Sequence, residues 1–320
     1  MVYVLLIIGF GLLIKGADYF IDGSSNIAAL FRVPPLIVGL TIVAFGTGAP
    51  EATVSIIAAL EGNADVTIGN IIGSNLLNMS LVVGITAAIF PLAVERPTIK
   101  KEIPFAFLAT VVLLVVMSDR QLEFATENWI TRSDGIIFLL FFAIFLYYVI
   151  EAARNSREEE PLDLNKNDQH IGGWGKNVLI TVVGLAAIVL GGFLVVESST
   201  DIALRLGMSE TLVGLTIVAI GSSLPELITS ITAAMKQQSE IALGNIVGSS
   251  IFNLFFVLGI SSIISPLPVN DKLFFDIVVL LILTIVLFIF SLTHYKVKKY
   301  EGMALTFFYI LYLIYIIMRN

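Results

Sequence analysis

Long apolar runs broken by short polar punctuation define this chain. The runs fall at about 2–22, 35–60, 68–91, 102–118, 134–152, 177–205, 211–235, 241–265, 273–293 and 302–318. A stretch of roughly 18 or more mostly apolar residues is long enough to cross a bilayer as a helix. The pattern therefore predicts ten membrane spans. The first run has no positively charged leader and no clear cleavage site, so it reads as a retained helix rather than a signal peptide. One polar linker, 153–176, divides the spans five against five. It carries Arg154, Arg157, Glu158, Glu159, Glu160, Pro161, Asp163, Lys166 and Asp168, and is too short for a folded domain, so it reads as a mobile tether.

The polar punctuation repeats. Adding 175 to a residue number in the first half finds its partner in the second, without a gap from about residue 9 to 92. Gly9 meets Gly184, Gly16 meets Gly191, and Val38 to Ala44 meets the identical run Val213 to Ala219. Pro50-Glu51 meets Pro225-Glu226, Gly69-Asn70 meets Gly244-Asn245, Gly73-Ser74 meets Gly248-Ser249, and Asn78 meets Asn253. Shared hydrophobicity would not place polar residues in register, so this is an internal repeat. Five spans is an odd number, so the second copy enters the membrane from the opposite side. The expected fold is an all-α polytopic membrane protein with ten transmembrane helices in two inverted-topology five-helix repeats, 1–152 and 177–320. Loops on one side carry twelve Lys and Arg and those on the other five, which puts the linker in the cytoplasm of a cell-membrane protein and both termini outside.

Composition agrees. Of 320 residues, 57% are hydrophobic and 13% charged, against about half and a quarter in soluble domains. Cysteine is absent, which excludes disulfides, thiolate metal sites and cysteine nucleophiles; the net charge of −7 argues against nucleic acid.

Chemistry concentrates where the apolar runs break. The segment Ala44-Phe45-Gly46-Thr47-Gly48-Ala49-Pro50-Glu51 is matched by Ala219-Ile220-Gly221-Ser222-Ser223-Leu224-Pro225-Glu226. A carboxylate at mid-bilayer costs at least about 2.5–3.5 kcal/mol, so Glu51 and Glu226 are expected to face a polar cavity. Pro50 and Pro225 have no N–H, which strips the carbonyls of Gly46 and Gly221 of their helical partners and kinks or breaks the helix there. Freed carbonyls are tolerated only where they line a cavity. The next spans add Ser74 and Asn78, and Ser249 and Asn253, each pair four apart on one helix face. Asn70, Asn75, Asn245 and Ser250 read equally as ligands or as helix–helix bonds. Gly69 with Gly73 and Gly244 with Gly248 permit close helix approach.

The donors are all oxygen: two carboxylates, the hydroxyls of Thr47, Ser74, Ser222, Ser223 and Ser249, two amides and backbone carbonyls. Such a set suits hard ions such as calcium, magnesium and sodium. Two carboxylates balance one divalent ion, and once it leaves, sodium ions or protons must replace it. That is a physical basis for exchange rather than simple release. A passive channel needs weak multi-site binding, and no histidine is placed to activate a buried serine as an enzyme nucleophile would require. Asp22 and Glu197, equivalent at the same offset, read as helix caps or as groups meeting water at a gate; Lys15 and Asp18 can pair at i,i+3. The helices at 102–118, 134–152, 273–293 and 302–318 read as a lipid-facing scaffold.

The pair GTGAPE and GSSLPE, each followed by a GNxxGS segment, resembles the two α-repeats of the cation/calcium antiporter superfamily, most closely its prokaryotic sodium/calcium exchanger branch. The resemblance covers nearly the whole chain. It implies a midplane site worked by alternating access, with the second and third helices of each repeat carrying the ions and the first and sixth sliding across them. It implies Glu51 and Glu226 as central ligands with Asn78 and Asn253 beside them. Thr47, Ser74, Ser222, Ser223 and Ser249, with the carbonyls of Ala44 and Ala219, are then flanking sodium ligands. The implied function is calcium/sodium antiport with no enzymatic activity and no cofactor, in a monomer whose partners are the two ions and the lipid. Proton-coupled calcium exchange is the alternative. Two positions depart from the family pattern. Gly48 stands where a serine is usual, which bears on sodium stoichiometry, and Asn253 stands where potassium-dependent relatives have Asp.

Overall fold

The computed structural model describes residues 2–122, 124–159, 173–207 and 219–319. Within these, α1 is Val2–Phe31, α2 Pro35–Thr47, α3 Ala49–Leu60 and α4 Ala64–Ile89. Helix α5 covers 98–116, α6 is Arg132–Glu159 and α7 is Trp174–Arg205. Then come α8, Ala219–Ser222, α9, Leu224–Met235, α10, Ser239–Ile264, α11, Lys272–Leu292, and α12, Lys299–Arg319. Seven of these are long and apolar enough to cross a membrane, and the pair α2–α3, bent by 49°, makes an eighth. Of the other two expected spans, α5 has an α-helical part of 14 residues, and the described part of the seventh contains α9 with 12. Residues 211–218 of the seventh expected span, and 160–172 of the linker, lie outside the described residues.

Several close helix seams run through small residues. Helices α1 and α7 cross backbone to backbone through small residues: a Cβ on Gly184 would sit 2.5 Å from the Phe20 nitrogen, and one on Gly16 2.9 Å from the Gly184 carbonyl. Gly9 and Gly191 repeat the approach two turns away. Gly84 of α4 meets Gly302 of α12, and its equivalent Gly259 of α10 meets Gly135 of α6. With no hydrophobic force between helices in lipid, such close contact supplies the packing energy. Gly244 and Gly248 behave as expected and let α10 lie against the backbone of Leu36 and Leu40.

Two small antiparallel ladders tie the halves together. Leu92–Ala93 (β1) pairs with Lys296–Val297 (β4), and Trp129–Ile130 (β2) with Leu267–Pro268 (β3). The turns joining α3 to α4 and α9 to α10 are superposable in their hydrogen bonding. Asn63 and Gln238 donate to Ala58 and Ala233, with Gly62 (φ 74°) and Gln237 (φ 61°) in the left-handed region. Glycine adopts that region without a Cβ clash; at Gln237 the same turn is imposed on a residue that resists it.

Two expectations are corrected here. Helix α1 does not end at 22 but continues to Phe31, and α7 runs to Arg205, so neither Asp22 nor Glu197 caps a helix. Two side chains of the polar stretch Gly23 to Asn26 find distant partners that hold it helical: Ser25 donates to Gln238 at 2.7 Å and Asn26 to Asn177 at 3.3 Å. The scaffold helices also bury more than apolar groups. Glu102 of α5 accepts from Tyr148 of α6, and Asp276 of α11 is held by both terminal nitrogens of Arg319 of α12 at 3.0 Å. Helix α6 is not purely lipid-facing either, since Phe138 and Phe145 are fully buried.

Candidate functional site

Pro50 and Pro225 fall in the first turns of α3 and α9, each directly after a break at Gly48 or Ser223. This is the break the missing N–H demands. It turns the start of each half-helix inward and buries both Glu51 and Glu226 completely. The half-helices then hold their neighbours identically. Asn70 donates to Ser55 at 2.9 Å and to the Glu51 carbonyl at 3.4 Å. Asn245 donates to Ser230 at 2.9 Å and to the Glu226 carbonyl at 3.4 Å. These asparagines bond helix to helix, one of the two roles their sequence positions allow. Asn75 and Ser250 instead bond back to Ile71 and Ile246 of their own helices.

The halves meet at this level. Ser223 donates to Glu51 Oε1 at 2.9 Å, Thr47 to Asn245 Oδ1 at 2.9 Å, and Ser249 to the Ala44 carbonyl at 3.3 Å. Each bond joins a residue of one half to a residue of the other. Glu51 and Glu226 are both fully buried at this level. Helix α8, which begins at Ala219 and ends at Ser222, packs against α4, the helix of Ser74 and Asn78. Ser74 is buried and Ser222 half-buried.

Asn78 and Asn253 lie in wider helical turns, Asn78–Val82 and Phe252–Val257, where the hydrogen bonds skip one residue further than in an α-helix. Such π-turns occur mostly at functional sites.

The electrostatics follow from who lacks a partner. Glu51 Oε2, both carboxylate oxygens of Glu226, and both side-chain polar atoms of Asn78 and of Asn253 are buried without a hydrogen bond, as is the Thr229 hydroxyl. Buried polar groups in native proteins are nearly always paired. Glu51 with Glu226 and Asn78 with Asn253 are orphaned at equivalent positions of the two halves, and their free oxygens suit a ligand that accepts lone pairs. A dehydrated hard cation is such a ligand. The sequence reading missed Ser55, Ser230 and Thr229. The first two had a signal, each lying four residues after a glutamate on the same face; the π-turns had none.

Comparisons with known proteins agree with this geometry. The family described as sodium/calcium exchanger protein matches residues 1–151 and 176–318. The sodium/calcium exchanger MaX1 of Methanosarcina acetivorans is 32% identical over 340 aligned positions, covering 98% of this chain and 97% of that one. The inner membrane protein YrbG of Escherichia coli is 35% identical over 266, covering 82% and 79%. The solved structure of the sodium-calcium exchanger NCX_Mj superposes with a TM-score of 0.83 at 28% identity, covering 98% of each chain. The polypeptide, a multi-pass membrane protein, therefore belongs to the sodium/calcium exchanger family.

Proposed function

We propose that this protein exchanges calcium for sodium across the cell membrane, by alternating access at one site between its two halves. The observation that carries the reading is the set of orphaned buried oxygens on Glu51, Glu226, Asn78 and Asn253. In this reading the two carboxylates bind calcium centrally and the two asparagine oxygens complete its shell. Thr47, Ser74, Ser222, Ser223 and Ser249, with the carbonyls of Ala44 and Ala219, hold sodium ions on either side. The bonds Ser223–Glu51 and Ser249–Ala44 are then what these oxygens do between loads. The paired seams and ladders support ten spans in two inverted repeats, 1–152 and 177–320, joined by a cytoplasmic linker at 153–176.

Exchange follows from charge. Leaving two carboxylates close together in low dielectric is costly, so the calcium-free site must reload before it reorients. The test is calcium-45 uptake into proteoliposomes driven by an outward sodium gradient. Glu51→Gln and Glu226→Gln should each abolish it. Full exchange in either variant would remove that residue from the site. The same vesicles under a pH gradient without sodium should take up no calcium; uptake there would make protons the counter-ion.

A further inference from the structure

One polar cluster plays no part in ion binding and sits where the two kinds of helix meet. Lys236, directly after α9, donates to Asp22 Oδ1 at 2.7 Å and to the Asp18 carbonyl at 3.0 Å, and lies 3.5 Å from Asp18 Oδ1. Asp18 and Asp22 are one turn apart on α1. Asp18 is shared with the exposed Lys15 at 3.5 Å, and Ser25 of the next turn bonds Gln238. Together these groups fasten α1 to the end of the half-helix that carries Glu226.

The repeat supplies a built-in control. The position equivalent to Lys236 is Glu61, and the position equivalent to Asp22 is Glu197. The backbone is the same at both turns: Lys236 has φ −81°, ψ 9° and Glu61 has φ −81°, ψ −2°. Yet α1 packs along α9, while among the described residues α7 makes no comparable contact with α3. Glu61 and Glu197 are both exposed, and neither forms an ion pair among the described residues. Access differs in the same sense. Ser24 of α1 is fully buried, whereas its equivalent, Ser199 of α7, lines an open cleft of about 380 Å³ with Val196, Gly221 and Leu224.

We propose that Lys236 and Asp22 are positioning residues of the transport cycle: a one-sided latch that favours the form with α1 closed on α9, while the mirror form brings Glu61 against Glu197. Exchanging the roles of the halves turns α7 onto α3, as α1 now lies on α9. An attractive pair on one side is thereby replaced by two carboxylates on the other. The protein rests unevenly between its two forms because the repeat is symmetric in backbone and antisymmetric in this charge. The proposal rests on the alternating-access reading above.

The absence of cysteine makes the test clean, since Ser24→Cys and Ser199→Cys can each be labelled by a maleimide without background. In reconstituted protein, Ser199→Cys should label fast and Ser24→Cys slowly. Adding Lys236→Gln should raise the rate ratio of Ser24→Cys to Ser199→Cys by about 5-fold, the scale of a partly exposed ion pair. Glu61→Lys creates the missing attraction on the mirror side and should move the ratio the same way. The exchange Asp22→Lys with Lys236→Asp should restore the original ratio, which a merely structural lysine would not allow. A ratio unmoved by Glu61→Lys, or a Lys236→Gln variant that loses only thermal stability, would overturn the latch. Both reporters opening together in one variant would instead refute alternating access. Glu51 and Glu226 are untouched throughout, so failure of the ion site is read separately by flux.

Discussion

Glutamine at position 51 is the sharpest perturbation the site allows. It keeps the volume of the side chain, and its amide oxygen can still accept from Ser223, which lies 2.9 Å from Glu51 Oε1. Folding is therefore spared while one negative charge is removed. Calcium–oxygen distances are about 2.4 Å. At an effective dielectric of about 20, one unit of negative charge at that distance attracts a divalent ion by roughly 14 kcal/mol and a monovalent ion by roughly 7. Most of this is offset by the water each ion gives up. The factor of two between them survives if the offset is proportional. Retaining only a fifth leaves about 2.8 and 1.4 kcal/mol, or roughly 100-fold for calcium and 10-fold for sodium.

The measurement is calcium and sodium half-saturation in equilibrium binding, backed by thermal unfolding. A ligand at 100 times its dissociation constant stabilises the folded state by about 2.7 kcal/mol. Calcium should raise the unfolding temperature of the wild type, and the same concentration should leave Glu51→Gln nearly unmoved. Equal losses for the two ions would refute the reasoning, because direct contact requires the divalent loss to exceed the monovalent one. So would a calcium affinity within threefold of wild type.

Three further outcomes follow from the packing. Gly48→Ser would place a Cβ 3.0 Å from the Ala44 carbonyl and 3.2 Å from the Phe252 ring, which must yield by a few tenths of an ångström. The added hydroxyl should lower the sodium concentration for half-maximal exchange and steepen the sodium dependence of calcium-45 efflux. Gly184→Val forces side-chain bulk into the Phe20 backbone and should cost about 3 kcal/mol, read as loss of monodisperse protein in detergent, whereas Gly11→Ala, with nothing within 4 Å, should be neutral. Arg319→Ala leaves Asp276, only 4% exposed, without its cation, and should destabilise by about 3–5 kcal/mol in thermal unfolding; adding Asp276→Asn should recover most of it.

Much of this was legible in the chain because bilayers enforce a coarse code. Apolar runs marked the helices, and the offset of 175 found pairs that the structure uses twice, such as Asn70 with Asn245, though not their acceptors Ser55 and Ser230. Pro50 and Pro225 announced the breaks by chemistry alone. What stayed hidden depends on contacts between residues far apart in sequence. Nothing local separates Asn245, which bridges to Thr47 and Ser230, from Asn75, which bonds its own helix. The extension of α1 past Asp22 also needs knowledge from elsewhere, since Lys236 and Gln238 supply its polar partners more than 200 residues on. Propensity reads Gly23-Ser24-Ser25-Asn26 as an ending, and tertiary contacts override it.

The pattern of kept and broken symmetry carries a last step. The Asn–Ser bonds within each half's core are duplicated, at 2.9 Å each. At the flanks the departures involve α1 or α7: buried Ser24 against Ser199 in an open cleft, and paired Lys236 against Glu61, which has no ion pair among the described residues; in the core, Glu51 accepts from Ser223 while Gly48 offers Glu226 no hydroxyl. A structure with closely similar cores and unequal flanking helices can convert to its mirror form mainly by moving the flanking pair. The glycine seam between α1 and α7 makes that pair one body, because separating the two backbones would lose contacts that lipid cannot replace. In the proposed cycle the cores would keep their ion ligands aligned while access changes, with no rearrangement of Glu51 or Glu226 beyond loading and unloading. Cross-linking α1 to α7 through cysteines placed beside the seam, away from its glycines, should accordingly leave exchange intact, whereas a cross-link between positions 22 and 236 should stop it. Inhibition by the first link would mean that the two helices move independently.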